Sequence, residues 1–222
     1  MLLAGPESIT EITMNTCLQL LMCLLLFQAA SPPRAPRVLH WDWHKSRYLS
    51  YSSSRVKDAN MPHSDRAALA KAIQAHMGPP DLYDTDMASA DQARQAALNA
   101  EIKMIRLKPD EKDPRDVVAT VRGFCTADGN CPLWFFRKTS HGYRLLIFSI
   151  GQSFNIQKTT TNGFKDLVVN MHSSATDEWL KFYRYARDHY RRVACYDADW
   201  APLKNGVVLH LKEPRITSSP CN

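Results

Sequence analysis

Residues 116–150 read DVVATVRGFCTADGNCPLWFFRKTSHGYRLLIFSI, and this stretch decides the fold. Asp128-Gly129 is a tight-turn dipeptide placed centrally between Cys125 and Cys131. A run of β-branched residues (116–124) enters the turn, and an aromatic run (133–138, LWFFRK) leaves it. Thr139-Ser140-His141-Gly142 turns the chain again into residues 143–150 (YRLLIFSI). The pattern predicts successive antiparallel strands, with a disulfide joining Cys125 to Cys131 where the turn brings their β-carbons together.

The same rhythm continues outward. Residues 153–157 read as a short strand, Asn162-Gly163 as a turn, and residues 167–170 as a buried strand after it. Residues 180–185 and 190–195 form a hairpin around Ala186-Arg187-Asp188-His189 in the preferred reading. A single helix capped near Thr176-Asp177 is the other. Residues 207–211 (VVLHL) follow the Asn205-Gly206 turn as a last short strand. Upstream, residues 64–77 have helical periodicity: Leu69, Ala72, Ile73, His76 and Met77 share a face, Ser64 is placed to cap, and Gly78-Pro79-Pro80 stops the helix. A second helical stretch covers residues 88–99, and the strand pattern begins near Ile102. The expected fold is therefore α+β: one or two N-terminal helices packed on a mainly antiparallel β-sheet meander, stapled by disulfides.

The chain has 222 residues, 45% hydrophobic and 23% charged, which argues against wholesale disorder and against a polytopic membrane protein. Residues 16–27 (TCLQLLMCLLLF) form the one strongly apolar run, well short of the about 20 residues a membrane-crossing helix needs. Small residues and Pro32-Pro33 follow it. This order reads as a signal peptide over residues 1–30. No Lys or Arg precedes the run, while Glu7 and Glu11 do, so a start at Met14 gives a more regular leader. Residues 31–62, Pro-rich and then Ser-rich, read as a linker, and residues 63–222 as a single domain. The expected location is periplasmic or secreted, with no stable membrane span after processing.

Six cysteines are present, and Cys17 and Cys23 leave with the leader. Pairing Cys125 with Cys131 leaves Cys195 with Cys221, which pins the C-terminal tail to the body. The spacings do not suit a zinc site. The formal charge of +6 becomes +8 over residues 31–222, where 28 Lys and Arg face 20 Asp and Glu. Outside the cytosol that balance points to an envelope protein or an anionic polymer as partner before it points to nucleic acid.

Three residue groups are candidates for chemistry. Asp166 with His172 and Ser173 or Ser174 supplies the carboxylate, imidazole and hydroxyl of a hydrolase, although no Gly-x-Ser-x-Gly surrounds either serine. Trp134, Arg137, Tyr143, Arg144, Arg184 and Arg191 interleave aromatic and basic side chains, as a face for an anionic polymer or single-stranded nucleic acid would. In His40-Trp41-Asp42-Trp43-His44 an extended chain puts His40, Asp42 and His44 on one side, a candidate metal set. No phosphate-cradling loop or dinucleotide fingerprint is present, and no cofactor is expected.

The segments CTADGNC (125–131), WFFR (134–137), HGYRLL (141–146), GFKDLVV (163–169), HSSA (172–175) and LKFYRY (180–185) together resemble a group of small exported bacterial proteins. The similarity covers roughly residues 60–200. It implies export and a β-rich domain and carries no activity with it. The expected function is an exported, non-enzymatic binding or inhibitory module of the cell envelope. The alternatives are an envelope hydrolase at His172 and anionic-polymer or nucleic-acid binding through the basic-aromatic face.

Overall fold

The run DVVAT lacks the alternation of a half-buried strand because both of its faces are covered. In the computed structural model, which describes residues 54–77 and 90–221, it is the middle strand of a five-stranded antiparallel sheet. This first sheet has the order β1 (Ser54–Arg55), β2 (Glu101–Ile105), β3 (Asp116–Thr120), β4 (Cys131–Thr139), β5 (Gly142–Gly151). Helices α1 (His63–Ala75) and α2 (Ala90–Asn99) supply apolar side chains to one of its faces. Leu69 and Ile73 of α1 and Ala97 of α2 meet Ile102, Val117, Ala119, Trp134 and Phe136 in one buried cluster. The Trp134 indole N–H donates to the His76 carbonyl at 3.0 Å and ties β4 to the end of α1.

A second sheet takes the other face. It is also five-stranded and antiparallel, ordered β12 (Arg215–Ser219), β9 (His189–Asp199), β8 (Asp177–Ala186), β7 (Phe164–His172), β6 (Ser153–Thr161). Val118, Leu133, Phe135 and Leu146 from the first sheet share a core with Phe154, Leu167, Val169, Tyr183 and Tyr190 from the second. A separate two-stranded ribbon joins β10 (Leu203–Lys204) to β11 (Val207–Val208). Both disulfides form, Cys125–Cys131 and Cys195–Cys221.

The α+β class and the antiparallel pairing agree with the expectation from sequence, but the single meander divides into two. The break is at Gly151-Gln152. β5 pairs with β4 up to Gly151, and β6 pairs with β7 from Ser153. The Gln152 N–H donates to the Asn170 carbonyl at 2.7 Å, so the chain changes sheet within one residue. Folding the second meander over the first buries an apolar face on each, which one long open sheet would leave in water.

Smaller departures have local causes. Residues 177–196 are a hairpin, with Ala186 opposite His189 and Arg187 at φ 61°. β3 ends at Thr120, and a 3-10 turn (Arg122–Phe124) precedes Cys125, so the first disulfide closes a loop and not the neck of a hairpin. In that loop Thr126 pairs with Asn130 and its carbonyl accepts from the Gly129 N–H, with Gly129 at φ 78°. Ser64 caps nothing: α1 starts at His63 behind Pro62. The expected strand over 207–211 shortens to Val207–Val208. Val56 and Ala59, within the stretch expected as linker, are buried in the helix-side core. The expected signal peptide, residues 31–53 of the linker, and with them His40, Asp42 and His44, lie outside the described residues. Among the described residues no helix is long and apolar enough to cross a membrane.

Candidate functional site

β7 carries both Asp166 and His172, and the geometry of a strand keeps them apart. Six residues at about 3.3 Å each separate them by roughly 20 Å. Asp166, 1% exposed, accepts hydrogen bonds from the Thr159 and Thr161 hydroxyls, each at 2.7 Å, and its Oδ2 lies 3.7 Å from Arg184 Nε. His172 instead faces Glu178, with Nδ1 3.8 Å from Oε1. The two serines close the β7–β8 turn. Ser173 Oγ donates to the Asp177 carbonyl, and Ser174 Oγ donates to Asp177 Oδ2 at 2.6 Å while accepting from the Thr176 and Asp177 amides. The Asp166–His172–Ser173/Ser174 set is thus not brought together. His172 and Ser174 do border a shallow cavity of about 310 Å³ with Asp128 and Ala175. Burial pushes the Glu178 carboxyl above the usual glutamate value, against His172, Trp200 and Asn170, which favour its charge.

The basic-aromatic face is not assembled either, because its members point into different layers. Trp134 is fully buried under α1. Arg137 lies between the sheets, over the Phe164 ring, where its guanidinium pairs with Asp116 Oδ1 at 2.9 Å and with Glu111. Burial works against that charge, but Glu111 and Asp116 outweigh it and hold Arg137 above its ordinary value. Burial, helped by Asp65, pushes the half-buried Tyr143 phenol up to about 12. Arg144 donates to the Tyr185 hydroxyl, and Arg184 lies over Phe182 beside Asp166. Arg191 is exposed and pairs in register with Arg184, away from the inter-sheet core.

The described residues hold a different basic pocket, on the far side of the second sheet's inner face. Residues directly opposite in neighbouring strands share a face. The register places Thr217, Asp197, Trp179 and Met171 in one row and Ser219, Cys195, Lys181 and Val169 in the next. Val169 belongs to the inter-sheet core, so these rows run outward from it. Then a bulge intervenes: Phe182 pairs with Ala194 but Tyr183 pairs with Arg192, leaving Val193 as the extra residue. Without it, strict alternation would put Val193 on this face. With it, Arg192 is rotated there, beside Lys181.

The resulting cavity holds about 280 Å³, lined by Trp179, Lys181, Arg192 and Asp197 with Cys195, Ser219 and Pro220. Trp179 is 47% exposed. Burial lowers the Lys181 ammonium below the ordinary lysine value, and the charge of Arg192 lowers it further. Lys181 Nζ lies 3.7 Å from the Met171 sulfur. Among the described residues no carboxylate pairs with Lys181 or Arg192. The Cys195–Cys221 disulfide sits at the pocket wall and fixes Ser219 and Pro220 against β9. Lys181 and Arg192 belong to the basic residues that the sequence interleaves with aromatics, but Trp179 was not singled out as a binding residue. Trp179 had a legible signal, a tryptophan next to Glu178 and two residues before Lys181, whereas the placing of Arg192 beside Lys181 had none, since the bulge that aims it is set by the partner strand. Among the described residues no group of His, Cys, Asp and Glu is arranged to hold a metal ion. No family model, no curated protein and no solved structure matches the chain.

Proposed function

We propose that this protein is an exported, non-enzymatic binding module that captures an anionic ligand of the cell envelope in the pocket of Trp179, Lys181 and Arg192. One observation carries the reading: two neighbouring cations share a cavity, and among the described residues neither is paired with a carboxylate. By contrast, the buried Arg137 is paired with Asp116, and Lys138 is paired with Asp65. An anion entering the pocket relieves the repulsion between them, and beside the half-buried Lys181 that attraction is stronger than in water, although Arg192 is exposed. Two disulfides and the apolar run over residues 16–27 support export. The serine hydroxyls beside His172 are engaged by Asp177, which favours binding over hydrolysis.

The test separates the pocket from the general positive charge. Lys181→Gln/Arg192→Gln and the charge-matched pair Lys158→Gln/Lys212→Gln are titrated with dextran sulfate by calorimetry at physiological salt. The pocket pair is expected to weaken binding at least tenfold and the control pair less than twofold. Equal losses would reduce the effect to surface charge and overturn the reading.

A further inference from the structure

We infer that the ligand of this pocket is an acidic sugar, its carboxylate held by Lys181 and Arg192 and its ring stacked on Trp179; the inference rests on the anion-binding reading above. Three features narrow the class. The first is the tryptophan. Trp179 sits on a central strand, between β7 and β9, yet it is 47% exposed with the pocket against it. A tryptophan left open at a cavity wall offers a flat apolar platform with a polar edge, suited to a ligand that has one apolar face and many hydroxyls.

The second is Asp197. It lies directly opposite Trp179 in the register, inside the same pocket. A carboxylate there repels a second anionic group seated at the Trp179 end, but accepts hydrogen bonds from neutral hydroxyls. Ser219 adds a hydroxyl in the row of Lys181, opposite Cys195. The pocket therefore has a cationic end and a hydroxyl-accepting end. Lys181 follows Trp179 by two residues, a spacing of about 6.6 Å along a strand. That spacing suits one six-membered ring with a carboxylate at one edge and hydroxyls at the other.

The third is size and rigidity. A cavity of about 280 Å³ is small for a ligand site. It has room for a sugar unit or the end of a chain. Its wall is held by the Cys195–Cys221 disulfide and five β9–β12 residue pairs, so little ordering is needed on binding.

The experiment uses the full, oxidised chain, with trigalacturonate, galactotriose, acetate, inorganic phosphate and a short single-stranded oligonucleotide as probes. Affinities are read by calorimetry for the wild type, Trp179→Ala, Lys181→Gln and Asp197→Asn, after circular dichroism confirms folding. Trigalacturonate is expected to bind at least tenfold more tightly than every other probe. Trp179→Ala should weaken it at least tenfold while leaving acetate unchanged, Lys181→Gln should weaken both, and Asp197→Asn should weaken trigalacturonate alone. If acetate or phosphate matches trigalacturonate and Trp179→Ala has no effect, the sugar assignment is wrong while anion capture stands. If the oligonucleotide binds most tightly, the sugar assignment falls to nucleic-acid binding. If no anion binds and Lys181→Gln changes nothing, both readings fail.

Discussion

An alanine at Gly151 would place its β-carbon 2.4 Å from Val169 Cγ1 and 2.5 Å from the Asn170 carbonyl oxygen. Ordinary contacts begin near 3.4 Å, so one of the two sheets must move by roughly an ångström where the chain crosses between them. The Val169 methyl has no room to turn away, because Val169 is fully buried in the inter-sheet core. The Asn170 oxygen is backbone, and it accepts the Gln152 N–H. Overpacking of this kind costs about 1–3 kcal/mol, and loss of the hydrogen bond adds about 1 kcal/mol. Gly151→Ala is therefore expected to destabilise by about 3 kcal/mol, or 6–12 °C in Tm for a domain of this size. Two glycines serve as controls. At Gly123 nothing lies within 4 Å of an added β-carbon and φ is not positive, so alanine should change stability by less than about 0.5 kcal/mol. Gly163 has open space but φ +78°, so alanine there should cost about 1 kcal/mol through backbone strain alone. Urea unfolding of the three oxidised variants gives the order. A cost at Gly151 no greater than at Gly163 would refute the close approach of the two sheets at the crossing.

Replacing Cys195 and Cys221 by serine should cost about 3.5 kcal/mol, and replacing Cys125 and Cys131 about 2 kcal/mol, because the loops span 26 and 6 residues; guanidinium midpoints of the two double variants check the ranking. Asp116→Ala removes the partner of Arg137 and the acceptor of the Leu107 amide, both buried, and should cost about 3–5 kcal/mol, with Asp116→Asn milder because it keeps an acceptor for the amide. Glu178 is held above the ordinary value of 4.5 by burial, so the folded state binds its proton more tightly than the unfolded one. Its contribution is full below pH 4.5 and is lost as pH rises through the folded value. Glu178→Gln should flatten Tm against pH from 4.5 to 7, and an unchanged slope would count against its burial.

Much of the strand and turn pattern was legible as spacing. Asn162-Gly163 and Asn205-Gly206 mark turns in which Asn162 and Asn205 take positive φ, and the Asp128-Gly129 turn between Cys125 and Cys131 picked the pairing that leaves Cys195 for Cys221. The expected sites were not legible, for reasons that differ residue by residue. Asp166 and His172 are close in sequence but extended along one strand. Trp134 and Arg137 lie on β4, both of whose faces are covered, so alternation there separates two cores rather than core from solvent.

By itself, the sequence determined where strands, helices and turns fall, since those follow from side-chain period and from residues that tolerate tight turns. Only the tertiary structure decided which strands stack. That choice sets which face is core, and it rests on the change of sheet at Gly151, where the absence of a β-carbon lets two sheets touch. It also decided that Arg192, and not Arg191, stands beside Lys181. The bulge at Val193 belongs to a pairing between two strands, so no local pattern in either one records it.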